Sequence, residues 1–114
     1  MDNPRILTIL WTNADPTTAQ LMVMMYARNC MLKGWWDEVT VVIWGATARL
    51  AAENLVIQEE IKMAQHAGVA FSACVTCARR LGVIEALERL DVEVKPWGEP
   101  LSQILQSGGS LLTV

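Results

Sequence analysis

No apolar run in this 114-residue sequence approaches the roughly 18 residues that a membrane-spanning helix needs, although 53% of the residues are hydrophobic. The apolar residues are parcelled into many short segments instead. That pattern fits a sheet buried on both faces plus a subunit interface, so a homo-oligomer is expected. Positive charge is also scarce. Nine Lys and Arg stand against twelve Asp and Glu, a net charge of −3, which argues against non-specific binding to nucleic acid. The start, Met1-Asp2-Asn3-Pro4-Arg5, has neither a basic region nor an apolar core, so no secretory leader is read there. Three cysteines make an odd, sparse set, and the expected setting is reducing and cytoplasmic. Neither G-x-G-x-x-G nor a Walker A sequence occurs, so dinucleotide and nucleoside-triphosphate sites lack support, and no cofactor is expected. Repeats, low-complexity tracts and linkers are absent, and residues 1–114 read as a single domain.

The segments that are present alternate between two periodicities. Arg5 to Trp11 is a continuous apolar run suited to a buried strand. Asp15-Pro16 then supplies a helix cap and a first helical residue, predicting a helix to about Lys33 that Gly34 closes. Cys30, inside that helix, reads as packing. Val39 to Trp44 is a second strand, and Gly45-Ala46-Thr47 turns the chain back. Residues 48 to 67 read as helix with a break near Asn54; Ile57, Ile61 and Ala64 recur on one face, and Gly68 follows as a stop. Val69 to Cys74 is a third strand, and a short helix from Val75 ends at Gly82. A helix from about Ile84 to Leu90 leads to a strand over Val92 to Trp97, which Pro96 places near an edge. Gly98-Glu99-Pro100 opens a last helix, and Leu111 to Val114 forms a fifth strand. Strands separated by helices pair in parallel, giving an α/β protein: a three-layer α/β/α sandwich on a five-stranded parallel sheet, flavodoxin-like in appearance.

In such sheets ligands bind beyond the carboxyl ends of the strands. Those ends carry Trp11, Trp44, Cys74 and Trp97, and this rim is the candidate site, a thiol walled by aromatic rings. Asn13, in the loop after the first strand, is a further binding candidate. Cys74 stands at a strand-to-helix junction, where unpaired N–H groups and the nearby Arg79 and Arg80 favour a thiolate, the reactive form. On the residues alone, the cysteine also reads as a small buried hydrophobe and the tryptophans as core or interface. Cys74 and Cys77 together form C-x-x-C beside a βαβ pattern, the spacing of a redox dithiol. One such pair supplies only two ligands for zinc, and Cys30 and His66 lack ligand spacing, so no metal is expected. His66 reads as a C-terminal helix residue satisfying carbonyls. Trp35 and Trp36 enter at the opposite end of the sheet, where packing or oligomer contacts account for them.

The opening strand, V-T-V-V-I-W-G, A-G-V-A-F-S-A-C-V-T-C-A-R-R-L-G-V and W-G-E-P-L together resemble the DsrE family of sulfur-relay proteins (DsrE/F/H-like) over nearly the whole chain. The compact, tryptophan-rich chain is similar to single-gene members more than to subunits of the hetero-oligomeric relay. The resemblance implies a five-stranded three-layer fold assembled as trimers or hexamers. It also implies a persulfide on the cysteine after the third strand, in a block resembling C-V-x-x-A-x-R-R-G, which here is Cys74. Cys77 has no counterpart in that pattern. The function so implied is sulfur carriage or persulfide relay with a protein donor or acceptor. Dithiol redox chemistry on Cys74 and Cys77 and a non-catalytic small-molecule-binding oligomer stand beside it.

Overall fold

Asp15 opens the helical part of the protein as the sequence predicts: its carboxylate accepts from the Thr18 N–H and hydroxyl, both at 2.9 Å, while Pro16 occupies the first turn. The computed structural model describes residues 3–114; Met1 and Asp2, part of the stretch read as lacking a leader, lie outside the described residues. The chain enters this cap from β1 (Ile6–Trp11). The helix that follows is continuous to Leu32 but not α-helical throughout. Between α1 (Pro16–Thr18) and α2 (Met25–Leu32) lies a π-helical stretch, Ala19–Met24, whose wider turns bury Ala19, Val23 and Met24 together.

β2 (Glu38–Ile43) leads to α3 (Thr47–Glu53) and α4 (Leu55–His66). The expected break between them falls at Asn54, whose side chain accepts from the Ile57 N–H at 3.1 Å and caps α4. β3 (Ala70–Cys74) passes directly into α5 (Val75–Leu81), which Gly82 ends in the left-handed conformation at φ 70°, open to glycine without strain. After α6 (Ile84–Arg89), β4 (Glu93–Lys95) is shorter than the Val92–Trp97 strand expected, because Pro96 has no N–H to continue the ladder. α7 (Gly98–Gln106) and β5 (Ser110–Thr113) complete the order.

The five strands are all parallel, in the order β4-β3-β2-β1-β5, with β4 at an edge as expected. The first three crossovers step in one direction, so right-handed connections put α1 to α6 on one face; the last steps back past β1 and puts α7 on the other. This is the three-layer α/β/α sandwich. Side chains alternate between the faces. Leu7, Ile9, Trp11, Val39, Val41, Ile43, Phe71 and Ala73 turn toward α1 to α6 and form the main core with Val23, Ile57, Ile61 and Leu87. Each such Leu or Ile contributes about 1.5–3 kcal/mol by leaving water. Leu10, Val42 and Cys74 turn the other way, where α7 adds only the half-buried Ile104.

Outside the core, Leu21, Met22, Met25 and Leu32 on the first helix and Leu55, Val56 and Met63 on α4 are exposed. The two helices are joined through Glu60, which accepts from Gln20 at 3.3 Å and pairs with Arg28 at 3.5 Å. Among the described residues no helix is long and apolar enough to cross a membrane.

Candidate functional site

Cys74 is the last residue of β3 and the N-cap of α5, and its parity on the strand aims it at the α7 face. There it packs with Val42 and Trp97, only 7% exposed, with Leu10, Trp44, Cys77 and Ile104 around them. Trp97 is fixed from its polar edge. Its indole N–H donates to Ser72 Oγ at 2.8 Å, and the Ser72 hydroxyl donates in turn to the Glu93 carbonyl at 2.9 Å. The Lys95 ammonium lies over the same ring, 4.9 Å from its centroid, and pairs with Glu93 at 3.4 Å. Cys74 thus sits in an apolar, ring-walled chamber whose position is set by a buried serine.

Cys77, three residues on, is one turn into α5 and half-buried. Its Sγ accepts from the Gly45 N–H at 3.3 Å. Burial pushes its thiol above the ordinary range; the Gly45 N–H opposes this and the neighbouring Cys74 reinforces it. All three cysteines are free thiols. Cys30 is fully buried in the main core, the packing role expected of it, and burial raises its thiol as well.

Beyond Cys77 a cleft of ≈ 750 Å³ opens between α3 and α5 at the carboxyl end of β2, bordered by Gly45, Ala46, Arg49, Leu50, Cys77 and Arg80. The loop at its floor is held by Thr47, fully buried: its hydroxyl donates to the Trp11 carbonyl at 2.8 Å and accepts from the Trp44 N–H at 3.1 Å. Gly45 within that loop has φ 74°, a conformation that presents its N–H to Cys77 and that a side chain would strain.

Of the rim expected from the sequence, the structure brings together Cys74, Cys77, Trp44 and Trp97, and places Arg80 on the cleft. The expected company of Trp11 is corrected. Trp11 shares the parity of Leu7 and Ile9, so it is fully buried in the main core on the other face, its indole N–H donating to the Asn13 carbonyl at 2.9 Å. Asn13 is exposed, and its side chain accepts from the Asp15 N–H at 2.9 Å, shaping the loop. Arg79 is also corrected as a neighbour of the thiols. Successive helical residues point about 100° apart, so only Arg80, three residues after Cys77, shares its side; Arg79 lies with Gly82, Glu85 and Arg89 at a separate hollow. Trp36 packs on the main core, whereas Trp35 is exposed, tilted against Tyr26 at 6.2 Å between ring centroids. Ser72, Thr47 and Arg49 are site residues that the sequence reading did not single out. The signal for Ser72 was present: a lone hydroxyl in an otherwise apolar strand ending must bond inside the protein.

No protein-family model and no curated protein matches the chain. Among solved structures it is similar to a conserved protein of unknown function, BT1422 from Bacteroides thetaiotaomicron. The two are 34% identical with a TM-score of 0.94, over 96% of this chain and 95% of that one. The ychN protein from E. coli is 15% identical with a TM-score of 0.70, over 98% of this chain and 100% of that one. MTH1491 from Methanobacterium thermoautotrophicum, a protein of unknown function, is 16% identical with a TM-score of 0.70 over the same shares. At these identities the last two share the fold.

Proposed function

The chain belongs to the family of the Bacteroides thetaiotaomicron protein BT1422, and from its own thiol geometry we propose that it is a sulfur carrier, holding a persulfide on Cys74. The observation that carries this reading is the pairing of a ring-walled, nearly buried cysteine with a second thiol on an open cleft. The resemblance of the Cys74 block to DsrE-like sulfur-relay proteins supports it, as does the fold shared with ychN and MTH1491. Loading is a thiol exchange. The Cys74 thiolate attacks the outer sulfur of a donor persulfide, the donor S–S bond breaks, and the donor leaves as a thiolate with no net change in oxidation state. The apolar chamber of Val42, Trp44 and Trp97 keeps water and further thiols from the persulfide. Release has two routes. An acceptor thiolate takes the outer sulfur, or Cys77 Sγ attacks Cys74 Sγ, expelling hydrosulfide and leaving a Cys74–Cys77 disulfide that a thiol reductant reopens.

The reading is tested by cyanolysis of sulfane sulfur retained on the desalted protein after polysulfide. Wild type and Cys77→Ser are expected to yield thiocyanate and Cys74→Ser none; equal yield from Cys74→Ser contradicts it. The contact between the two thiols also favours a second reading, a dithiol redox protein in which one cysteine attacks and the other resolves. That reading requires a reversible disulfide, and a free-thiol count unchanged by mild oxidation removes it.

The same proposal places the protein in the cytoplasm as a homo-oligomer, a trimer or hexamer. The exposed apolar residues of the first helix and α4 are the surface available for it. Sedimentation equilibrium reads the stoichiometry, and a monomer at micromolar concentration removes this part.

A further inference from the structure

The cleft over Cys77 has the volume of a small-molecule site, within the roughly 300–1,000 Å³ such sites occupy. Two guanidiniums border it, Arg49 from α3 and Arg80 from α5, brought together because β2 and β3 are sheet neighbours. Among the described residues neither takes part in an ion pair, nor does Glu53, the single carboxylate of the lining. The lining therefore carries one surplus positive charge in a protein whose net charge is −3. Leu50 and Leu81 supply apolar wall, and Cys77 is the thiol that this space meets, with Cys74 packed behind it.

We propose that this cleft binds a low-molecular-weight thiol or persulfide bearing a carboxylate or sulfonate, its anionic group on Arg49 and Arg80 and its sulfur against Cys77. A neutral or cationic thiol lacks the first contact, and a simple inorganic anion leaves the apolar wall uncovered. The sulfur half of this ligand class rests on the carrier reading above; the anion half does not.

The test separates the two. Iodoacetate and iodoacetamide alkylate thiols through the same displacement and differ in charge, so their rate ratio at Cys77, located by peptide mapping of the full chain, reports the anion site alone. Arg49→Ala and Arg80→Ala are each expected to lower the iodoacetate-to-iodoacetamide ratio roughly two- to fivefold, the range that one exposed charge contact supplies, with less effect at high salt. Arg79→Ala, one residue from Arg80 but on another side of α5, is expected to leave the ratio unchanged. A ratio indifferent to Arg49 and Arg80, an equal drop in Arg79→Ala, or no alkylation of Cys77 by either reagent overturns the proposal. Sulfur loading from glutathione persulfide and from cysteamine persulfide then reads the ligand class. The anionic donor is expected to load faster, with its advantage lost in Arg49→Ala and Arg80→Ala. Loading only from a persulfidated protein overturns the small-molecule assignment. No loading from any donor, with the alkylation ratio still arginine-dependent, leaves the anion site standing and removes the sulfur carrier.

Discussion

The two faces of the sheet are built to different standards. The face under α1 to α6 is sealed: Trp11, Ile9, Val41 and Ile43 meet Val23, Ile57, Ile61 and Leu87, all essentially without exposure. The face under α7 holds a small cluster, Val42, Cys74 and Trp97, and no residue of α7 is itself buried. The difference teaches where stability lies and where a candidate site is left. One layer folds the domain; the other holds a thiol under a ring, packed behind the Cys77 that borders the cleft.

That contrast can be broken by substitution. Trp11→Ala is expected to show the largest effect, about 3–5 kcal/mol in urea unfolding, because a fully buried ring is removed from a close-packed layer. Ile61→Ala on the same face is expected to cost about 2–5 kcal/mol. Ile104→Ala, half-buried under α7, is expected to cost well under half as much. Equal losses at the two isoleucines would remove the distinction between the layers. Ser72→Ala leaves the buried Trp97 N–H without its acceptor and is expected to cost about 1–3 kcal/mol, with a shifted Trp97 emission as its local signature. Asn54→Ala removes the α4 cap and is expected to cost about 1 kcal/mol in the same unfolding measurement.

The smallest expected effect is in acid. Arg5 holds the Asp37 carboxylate below its usual range, and the Thr18 N–H and hydroxyl do the same for Asp15. Because the folded values lie below the unfolded ones, their contribution is complete above the ordinary aspartate range. It is lost as pH falls through the folded values. Arg5→Ala should flatten that part of a stability–pH curve by slightly lowering stability at neutral pH, where the contribution is present, and leaving the acid end unchanged. At the alkaline side, alkylation of Cys77 is expected to rise at higher pH than that of an exposed peptide thiol, since its burial favours the protonated form.

Much of this was legible in the sequence. The strand and helix succession, the Asp15 cap, the break at Asn54, the stop at Gly82 and the edge position of β4 each follow from a local signal. What failed was orientation. Trp11 and Cys74 both end strands, yet their parities differ, and only the register of the sheet assigns each to a face. Arg79 and Arg80 are adjacent in sequence and separated by the helical turn. Arg49 joined the site only through the adjacency of β2 and β3, which no local pattern encodes. The π-helical stretch Ala19–Met24 likewise left no periodic trace that a reading for an α-helix would register.

The most direct measurement of the central claim is the intact mass of wild type, Cys74→Ser and Cys77→Ser after polysulfide and then after reductant. The account predicts a gain of one sulfur, reversed by reductant, present in wild type and Cys77→Ser and absent from Cys74→Ser. A sulfur gain that survives Cys74→Ser, or no sulfur gain in Cys77→Ser, where no Cys74–Cys77 disulfide can expel the sulfur, would contradict it.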